Sequence, residues 1–111
     1  MPPKKIKSER QPPLAVRRVE RELAEHLVTW RKLRGMTQAQ LADRANLSRD
    51  TLARLEGGEA SISVENLLLV LRALGILDAL PRALDPLSSD LGRLRSEQAL
   101  PVRVRPRKLD G

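Results

Sequence analysis

Residues 36–58 restrict the fold more than any other part of the sequence. Thr37 is suited to cap a helix, because Gln40 follows three residues later and its side chain reaches back to the capping residue. The helix predicted from Gln38 to Ala45 should end at Asn46, a residue type that tolerates the left-handed backbone conformation. Its inner stripe consists of Leu41, Ala42 and Ala45.

A second short helix is predicted directly after this one. Ser48 is its expected cap, and Leu47 is expected to be a buried plug in the connecting turn. Leu52 and Leu55 mark the inner side of the helix, and the pair Gly57 and Gly58 ends it. The segment is therefore predicted to be two short helices joined by a tight polar turn.

The outer face of the second helix carries side chains suited to read DNA. The residues left facing out near its start are Arg49, Asp50, Ala53 and Arg54. Long and polar side chains of this kind reach base edges in a major groove. Arg44, Arg49 and Arg54 gather positive charge on this part of the chain. We therefore expect a DNA-binding helix-turn-helix.

The segment from about Leu23 to Ile76 resembles the XRE family of regulators, the lambda-repressor and Cro-like domains. The resemblance is carried by the runs RKLRGMTQAQLA, ANLSRDTLARLEGG and SVENLLLVLRALGI, in the family's order and spacing. It implies an all-α fold, a compact five-helix DNA-binding domain in which the helix that follows Ser48 is the recognition helix.

The resemblance also implies roles for individual residues. Gln38 corresponds to a glutamine that holds a phosphate at the start of the second helix of the family. The positions that read bases correspond to Arg49, Asp50 and Arg54. Positions of backbone or base contact correspond to Ser48 and Thr51. For Asp50 two roles stay open, accepting from a cytosine amino group or orienting Arg49 or Arg54 through an ion pair.

A structural role is implied for Arg31 and Glu56. They correspond to a buried ion pair that joins the first helix to the end of the recognition helix. A structural role suits such a pair better than a catalytic one, because breaking a buried pair leaves an uncompensated charge.

The net charge of +7 suggests a polyanionic partner, and its distribution divides the chain. Residues 1–18 carry six basic and one acidic side chain, residues 19–84 carry nine of each, and residues 85–111 carry six and four. We predict a flexible basic arm over 1–13, a helical domain over 14–84 and a C-terminal extension over 85–111. Lys4, Lys5, Lys7 and Arg10 would either follow a groove or backbone of DNA or only solubilise the arm.

The first helix is predicted from about Leu14 to Arg34. Val19, Leu23, Leu27 and Trp30 have helical spacing and predict one buried stripe. Trp30 is the only aromatic residue, and core packing is its expected role. A chain with no Phe or Tyr lacks stacking platforms for single strands, which favours duplex DNA.

The helix that follows residues 59–62 is expected to start at the cap Ser63. Its inward face is predicted to be Val64, Leu67, Leu68, Leu71 and Leu74. The apolar arc of this helix is extended by Leu69, Val70 and Ile76. We expect this additional apolar surface to be buried against a partner or against Leu77, Leu80 and Leu84. We favour a homodimer that binds a palindromic operator.

The sequence of the C-terminal extension is compatible with a helix in its first part and a short strand in its last part. Leu87, Leu91 and Leu94 have helical spacing, whereas residues 100–108 alternate apolar and basic side chains like a short edge strand. Four basic residues near the terminus would touch phosphates or belong to an unstructured tail: Arg103, Arg105, Arg107 and Lys108.

One subgroup of regulators is more loosely similar. The run ENLLLVLRALGILDAL, followed by a leucine-rich segment with prolines and a basic terminus, is similar to HipB-like antitoxins. This similarity implies a repressor of its own operon that also holds a HipA-like kinase toxin inactive.

Other classes of protein are disfavoured by the residues present. The chain has no cysteine and one histidine, so we expect no metal site, no cofactor and no disulfide. A nucleophile with its base and a phosphate-binding glycine loop are also missing, so we expect no enzyme. Without a membrane-length apolar run or signal peptide, the expected location is the cytoplasm, at the nucleoid. The open alternative is a protein-interaction module that binds little specific DNA.

Overall fold

A computed structural model of the protein describes residues 11–59 and 62–99. These residues contain six α-helices, one 3₁₀-helix and no strand, so the predicted all-α class is confirmed. The N-terminal arm and the alternating segment 100–108 lie outside the described residues, apart from the last residues of the arm. The elements are α1 (Leu14–Leu33), α2 (Gln38–Ala45), α3 (Arg49–Glu56), α4 (Val64–Leu74), α5 (Ala79–Leu84), the 3₁₀-helix (Pro86–Ser88) and α6 (Asp90–Ala99).

The chain divides into two compact units, one through Gly75 and one from Ile76. The first unit holds α1 to α4, and the second holds α5, the 3₁₀-helix and α6. Five helices lie between Leu14 and Leu84, which is the number that the resemblance implies. Because α5 belongs to the second unit, a domain boundary at Leu84 stays a prediction.

Local capping sets the ends of α2. The Thr37 hydroxyl accepts a hydrogen bond from the Gln40 amide at 3.1 Å, and Gln40 Oε1 accepts one from the Thr37 amide at 2.9 Å. This is the predicted capping box. Asn46 ends the helix with φ 60° and ψ 42°, the left-handed conformation expected for it. Leu47 follows and is half-buried, whereas a buried plug was predicted.

Serine caps begin the next two helices, as predicted. The Ser48 hydroxyl accepts from the Thr51 amide, and the Ser63 hydroxyl accepts from the Asn66 amide, both at 3.0 Å. Each cap satisfies one of the amide groups that a helix leaves unpaired at its start. The residues at which α3 and α4 begin are therefore determined locally, by a serine and the amide three residues after it.

The core of the first unit lies around α2. This helix contacts both α3 and α4, and α1 contacts α3. Leu41 and Leu52 are completely buried, as their spacing predicts. The buried apolar side chains are Ala24, Leu27, Met36, Leu41, Ala42, Ala45, Leu52, Leu55, Val70, Leu71 and Leu74.

The stripe predicted for α1 is wrong at both of its ends. Val19 is 51% exposed and Trp30 is 37% exposed, and only Leu27 of the stripe is fully buried. The Trp30 ring lies on the surface, with the Arg34 guanidinium 5.7 Å from its centre. The face that packs instead runs through Ala24, Leu27 and the half-buried Arg31, which also have helical spacing.

Close approach of α1 to the end of α3 explains this choice of face. A β-carbon added at Gly58 would lie 3.8 Å from the Arg21 Cα, in ordinary van der Waals contact. Arg21 lies three residues before Ala24, on the same side of the helix. The small side chain of Ala24 therefore faces the core of the first unit, and the Trp30 side chain points away from that core.

The inward face predicted for α4 also needs correction. Val64 is 70% exposed, and Leu67 and Leu68 are only half-buried. Val70, predicted to lie outside the inward face, is completely buried together with Leu71 and Leu74. The C-terminal half of α4 carries the buried side chains, because burial follows the packing against α2 and not the centre of the apolar arc.

The second unit is held by local turns. Asp85 Oδ1 accepts from the Leu87 amide at 2.9 Å, and the 3₁₀-helix contacts both α5 and α6. No residue from 76 to 99 is buried. The helical spacing of the leucines is confirmed for two of them, since Leu91 and Leu94 lie in α6, whereas Leu87 lies in the 3₁₀-helix.

Candidate nucleic-acid interface

Helix α3 presents one face to the core and the other to solvent. Leu52 and Leu55 are buried, with 0% and 4% of their surfaces exposed. The residues on the outer face are exposed: Arg49, Asp50, Ala53 and Arg54. The side chains that were predicted to read bases are therefore on the accessible face of the helix, where a major groove would have to meet them.

Two carboxylates contact the guanidinium of Arg54. Nη1 lies 3.7 Å from Asp50 Oδ2, one turn earlier in the helix. Nε donates to Glu59 Oε1 at 3.1 Å. Of the two roles left open for Asp50, the structure contains the ion pair with Arg54. Glu59 was not predicted, although its position directly after two glycines that end the helix was a usable signal.

The N-terminus of α3 is organised by two hydroxyl groups. Besides capping the helix, the Ser48 hydroxyl donates to Thr51 Oγ1 at 2.8 Å. Ser48 is exposed and Thr51 is half-buried. Their hydroxyls and the unpaired amides of the first turn lie at the positive end of the helix dipole, which is a favourable place for a phosphate.

Arg31 and Glu56 lie in close contact. Arg31 Nε donates to Glu56 Oε2 at 2.8 Å, and Nη2 donates to Glu56 Oε1 at 3.1 Å. Their side chains are 13% and 5% exposed, so water screens this two-bond pair only weakly. Arg31 Nη1 also donates to the Met36 carbonyl at 3.0 Å. The pair joins α1 to the end of α3 and to the turn before α2.

Gln38 joins the same cluster. Its side-chain Nε2 donates to Glu56 Oε1 at 2.9 Å, so the carboxylate accepts from two different helices. Gln38 is the first residue of α2 and is half-buried. An amide group carries two N–H bonds, so a second hydrogen remains on Nε2 for an acceptor at the helix N-terminus. The network therefore fixes the orientation of the side chain expected to hold a phosphate.

Arg44 and Arg49 are the remaining basic residues assigned to the interface. Both are exposed, and no hydrogen bond or ion pair joins either side chain to another described residue. Arg44 lies in the last turn of α2, where a positive charge also favours the helix dipole. Both guanidinium groups can therefore reach an anionic ligand without first breaking a bond within the described residues.

Residues 27–78, just under half of the chain, match a family model described as helix-turn-helix. The match supports the XRE family and a DNA-binding transcription regulator. The matched residues include the predicted contact residues of α2 and α3 and the ion pair between Arg31 and Glu56. No curated protein and no solved structure matches the chain significantly.

Two further features of the described residues bear on function. No group of three or more histidine, cysteine, aspartate or glutamate side chains could hold a metal ion there. Within the same ranges, the helices are too short or too polar to cross a membrane.

Proposed function

We propose that the protein is a transcriptional repressor that binds a specific duplex sequence, its own operator. The observation that carries the proposal is the outer face of α3, where Arg49 and Arg54 are exposed while Leu52 and Leu55 fix the opposite face in the core. A helix anchored in this way can enter a major groove with a defined orientation.

The proposed roles follow from the chemistry of each group. Arg49 and Arg54 are assigned to guanine, whose O6 and N7 accept two bonds from one guanidinium, for about 1–3 kcal/mol of discrimination per pair. Asp50 helps to orient Arg54, which it contacts at 3.7 Å. Phosphate contacts, which position the domain without selecting a sequence, are assigned to Gln38 and Arg44. Ser48 and Thr51 are assigned to contacts with the DNA backbone or with bases.

We further propose that the repressor acts as a homodimer. One recognition helix of eight residues contacts only a few base pairs, whereas two copies related by a twofold axis read two half-sites. The expected operator is therefore palindromic, with half-sites about one helical turn apart, roughly 34–36 Å.

The first experiment measures binding of the full chain to a duplex that spans its own promoter. Binding should survive an excess of random duplex, protect two half-sites and weaken as salt rises. Binding that disappears with competitor at both salt concentrations would contradict specific recognition. It would leave only non-specific attraction to a chain of net charge +7.

Substitutions then separate base contacts from phosphate contacts. Arg54→Ala should relax the preference at one base pair, whereas Gln38→Ala should weaken all sequences about equally. Arg72→Ala is the matched control, because it removes one exposed positive charge from α4, outside the two helices of the motif. Equal losses on specific and random duplex for Arg54→Ala would remove Arg54 from the base-reading set.

The exposed leucines of the second unit favour an additional function, the binding of another protein. Leu84, Leu87, Leu91 and Leu94 are between 52% and 72% exposed, which is unusual for so many leucines within eleven residues. A HipA-like kinase toxin is the partner that the looser similarity implies. A neighbouring gene for such a kinase, and co-purification of its product with the full chain, would support the antitoxin role. A kinase neighbour that does not co-purify would contradict it.

A further inference from the structure

The turn after α3 brings a carboxylate back to the recognition helix. Gly58 has φ +84°, a backbone conformation that other residues rarely adopt. The Gly58 amide donates to the Leu55 carbonyl at 3.1 Å, and the Glu59 amide donates to the Arg54 carbonyl at 3.0 Å. These two bonds are the Schellman arrangement that ends a helix. They fix the backbone of Glu59 beside Arg54.

Backbone and side chain of Glu59 therefore contact the same residue. Its Oε1 accepts from Arg54 Nε at 3.1 Å, in addition to the bond from its amide to the Arg54 carbonyl. The Arg54 and Glu59 side chains are 45% and 57% exposed. An exposed ion pair contributes little to stability, so the more important consequence of the contact is the direction in which it holds the guanidinium.

We propose that Glu59 is a positioning residue that determines specificity by orienting Arg54 for base readout. The inference rests on the proposed function. A guanidinium is planar, so a bond at Nε restricts the plane in which the two terminal nitrogens lie. Guanine readout requires that plane to align with the base edge, and alignment before binding lowers the entropic cost of the contact.

The same carboxylate has a second effect on binding. Near DNA its negative charge repels phosphates, which lowers the affinity for every sequence alike. Glu59 therefore strengthens discrimination while it weakens overall attraction. Removal of the side chain should move these two quantities in opposite directions, which loss of folded protein would not do.

The experiment measures affinity for the preferred duplex and for every single base-pair change in it. Glu59→Ala should lose about fivefold of discrimination at the base pair that Arg54→Ala also affects. Its affinity for random duplex should rise by about twofold or more at low salt. Glu59→Gln keeps an acceptor for Nε without the charge, so it should retain most of the discrimination and still gain random affinity.

Two controls make the result specific to the contact. In the Arg54→Ala background, Glu59→Ala should cause no further loss of discrimination, because the group that it positions is gone. Glu25→Ala removes one exposed carboxylate from α1, outside the two helices of the motif, and should change neither quantity. Trp30 fluorescence and helical circular dichroism verify that each variant is folded.

The outcomes separate the inference from the function on which it rests. Glu59→Ala with unchanged base preference, in a protein that does select a sequence, would overturn the inference alone. Discrimination lost evenly at all positions, or lost again in the Arg54→Ala background, would also overturn it. Wild-type protein with no preferred sequence would overturn the proposed function and the inference together.

Discussion

The two units of the chain are stabilised in different ways. Every buried apolar side chain among the described residues belongs to the unit through Gly75. In the unit from Ile76, α5, the 3₁₀-helix and α6 expose their leucines and are connected by bonds between near neighbours, such as Arg93 to the Leu87 carbonyl at 2.9 Å. The first unit can therefore hold its shape by burial, whereas the second depends on local turns.

This difference shows how helical spacing can mislead. Leucines between residues 76 and 99 have the same three- and four-residue spacing as those in the first unit, yet none of these described leucines is buried. Apolar spacing predicts that a helix has one apolar face, but it does not say what covers that face.

The largest effect is expected from a cavity in the first unit. Leu52→Ala removes a completely buried side chain and should lower the free energy of unfolding by about 3 kcal/mol or more. Leu91→Ala, in the second unit, should change the free energy of unfolding by less than about 0.5 kcal/mol at low protein concentration. Urea unfolding followed by helical circular dichroism, to which both units contribute, measures both. A similar loss for the two variants would contradict the contrast between the units.

A smaller effect is expected from the buried ion pair. Glu56→Gln removes the charge that compensates Arg31 and should cost about 1–3 kcal/mol of unfolding free energy. Glu22→Gln is the matched control, because Glu22 pairs with Arg18 at 3.2 Å with both side chains more than half exposed. The control should lose at most about 0.5 kcal/mol in urea unfolding. Equal losses would mean that burial does not strengthen the pair.

The smallest effect on global stability is expected at Gly92. A methyl group there would overlap the Pro86 carbonyl group and approach the Pro86 Cα to 2.9 Å. Alanine is favoured over glycine in a helix by about 1 kcal/mol. Faster amide hydrogen exchange in α6 of the variant would therefore show that the steric overlap outweighs this preference. We expect Gly92→Ala to speed amide hydrogen exchange in α6 about tenfold and to leave α2 and α3 unchanged.

The control for this prediction is Gln98→Ala, an exposed position of the same helix. It should leave exchange in α6 unchanged or slightly slower, because alanine is the better helix former. Exchange that accelerates in the first unit of Gly92→Ala as well would contradict the expectation that this change acts on α6 alone.

Sequence alone located the ends of the helices in the helix-turn-helix, and the reason is local chemistry. The capping box at Thr37, the left-handed Asn46 and the serine caps at Ser48 and Ser63 each depend on bonds between residues three or four positions apart. Such bonds are available to the chain before any distant contact forms, so the residue types suffice to predict them.

The buried face of α1 shows where that reasoning stops. Periodicity and the family resemblance both predict Trp30 in the core, and the resemblance also implies that its neighbour Arg31 lies inside. Successive helical residues point about 100° apart, so both cannot share the centre of one face. The structure buries Arg31 against Glu56, 25 residues further along the chain, and leaves Trp30 at the surface.

The sequence by itself therefore determined the helix-turn-helix, its caps and the exposed face of its second helix. Only the tertiary structure decided which side of α1 is buried, how Gln38 and Arg31 share the carboxylate of Glu56, and that Glu59 contacts Arg54. The physical reason is the range of the interactions. Caps and turns form within a few residues, whereas packing faces and shared carboxylates depend on elements that meet only when the chain folds.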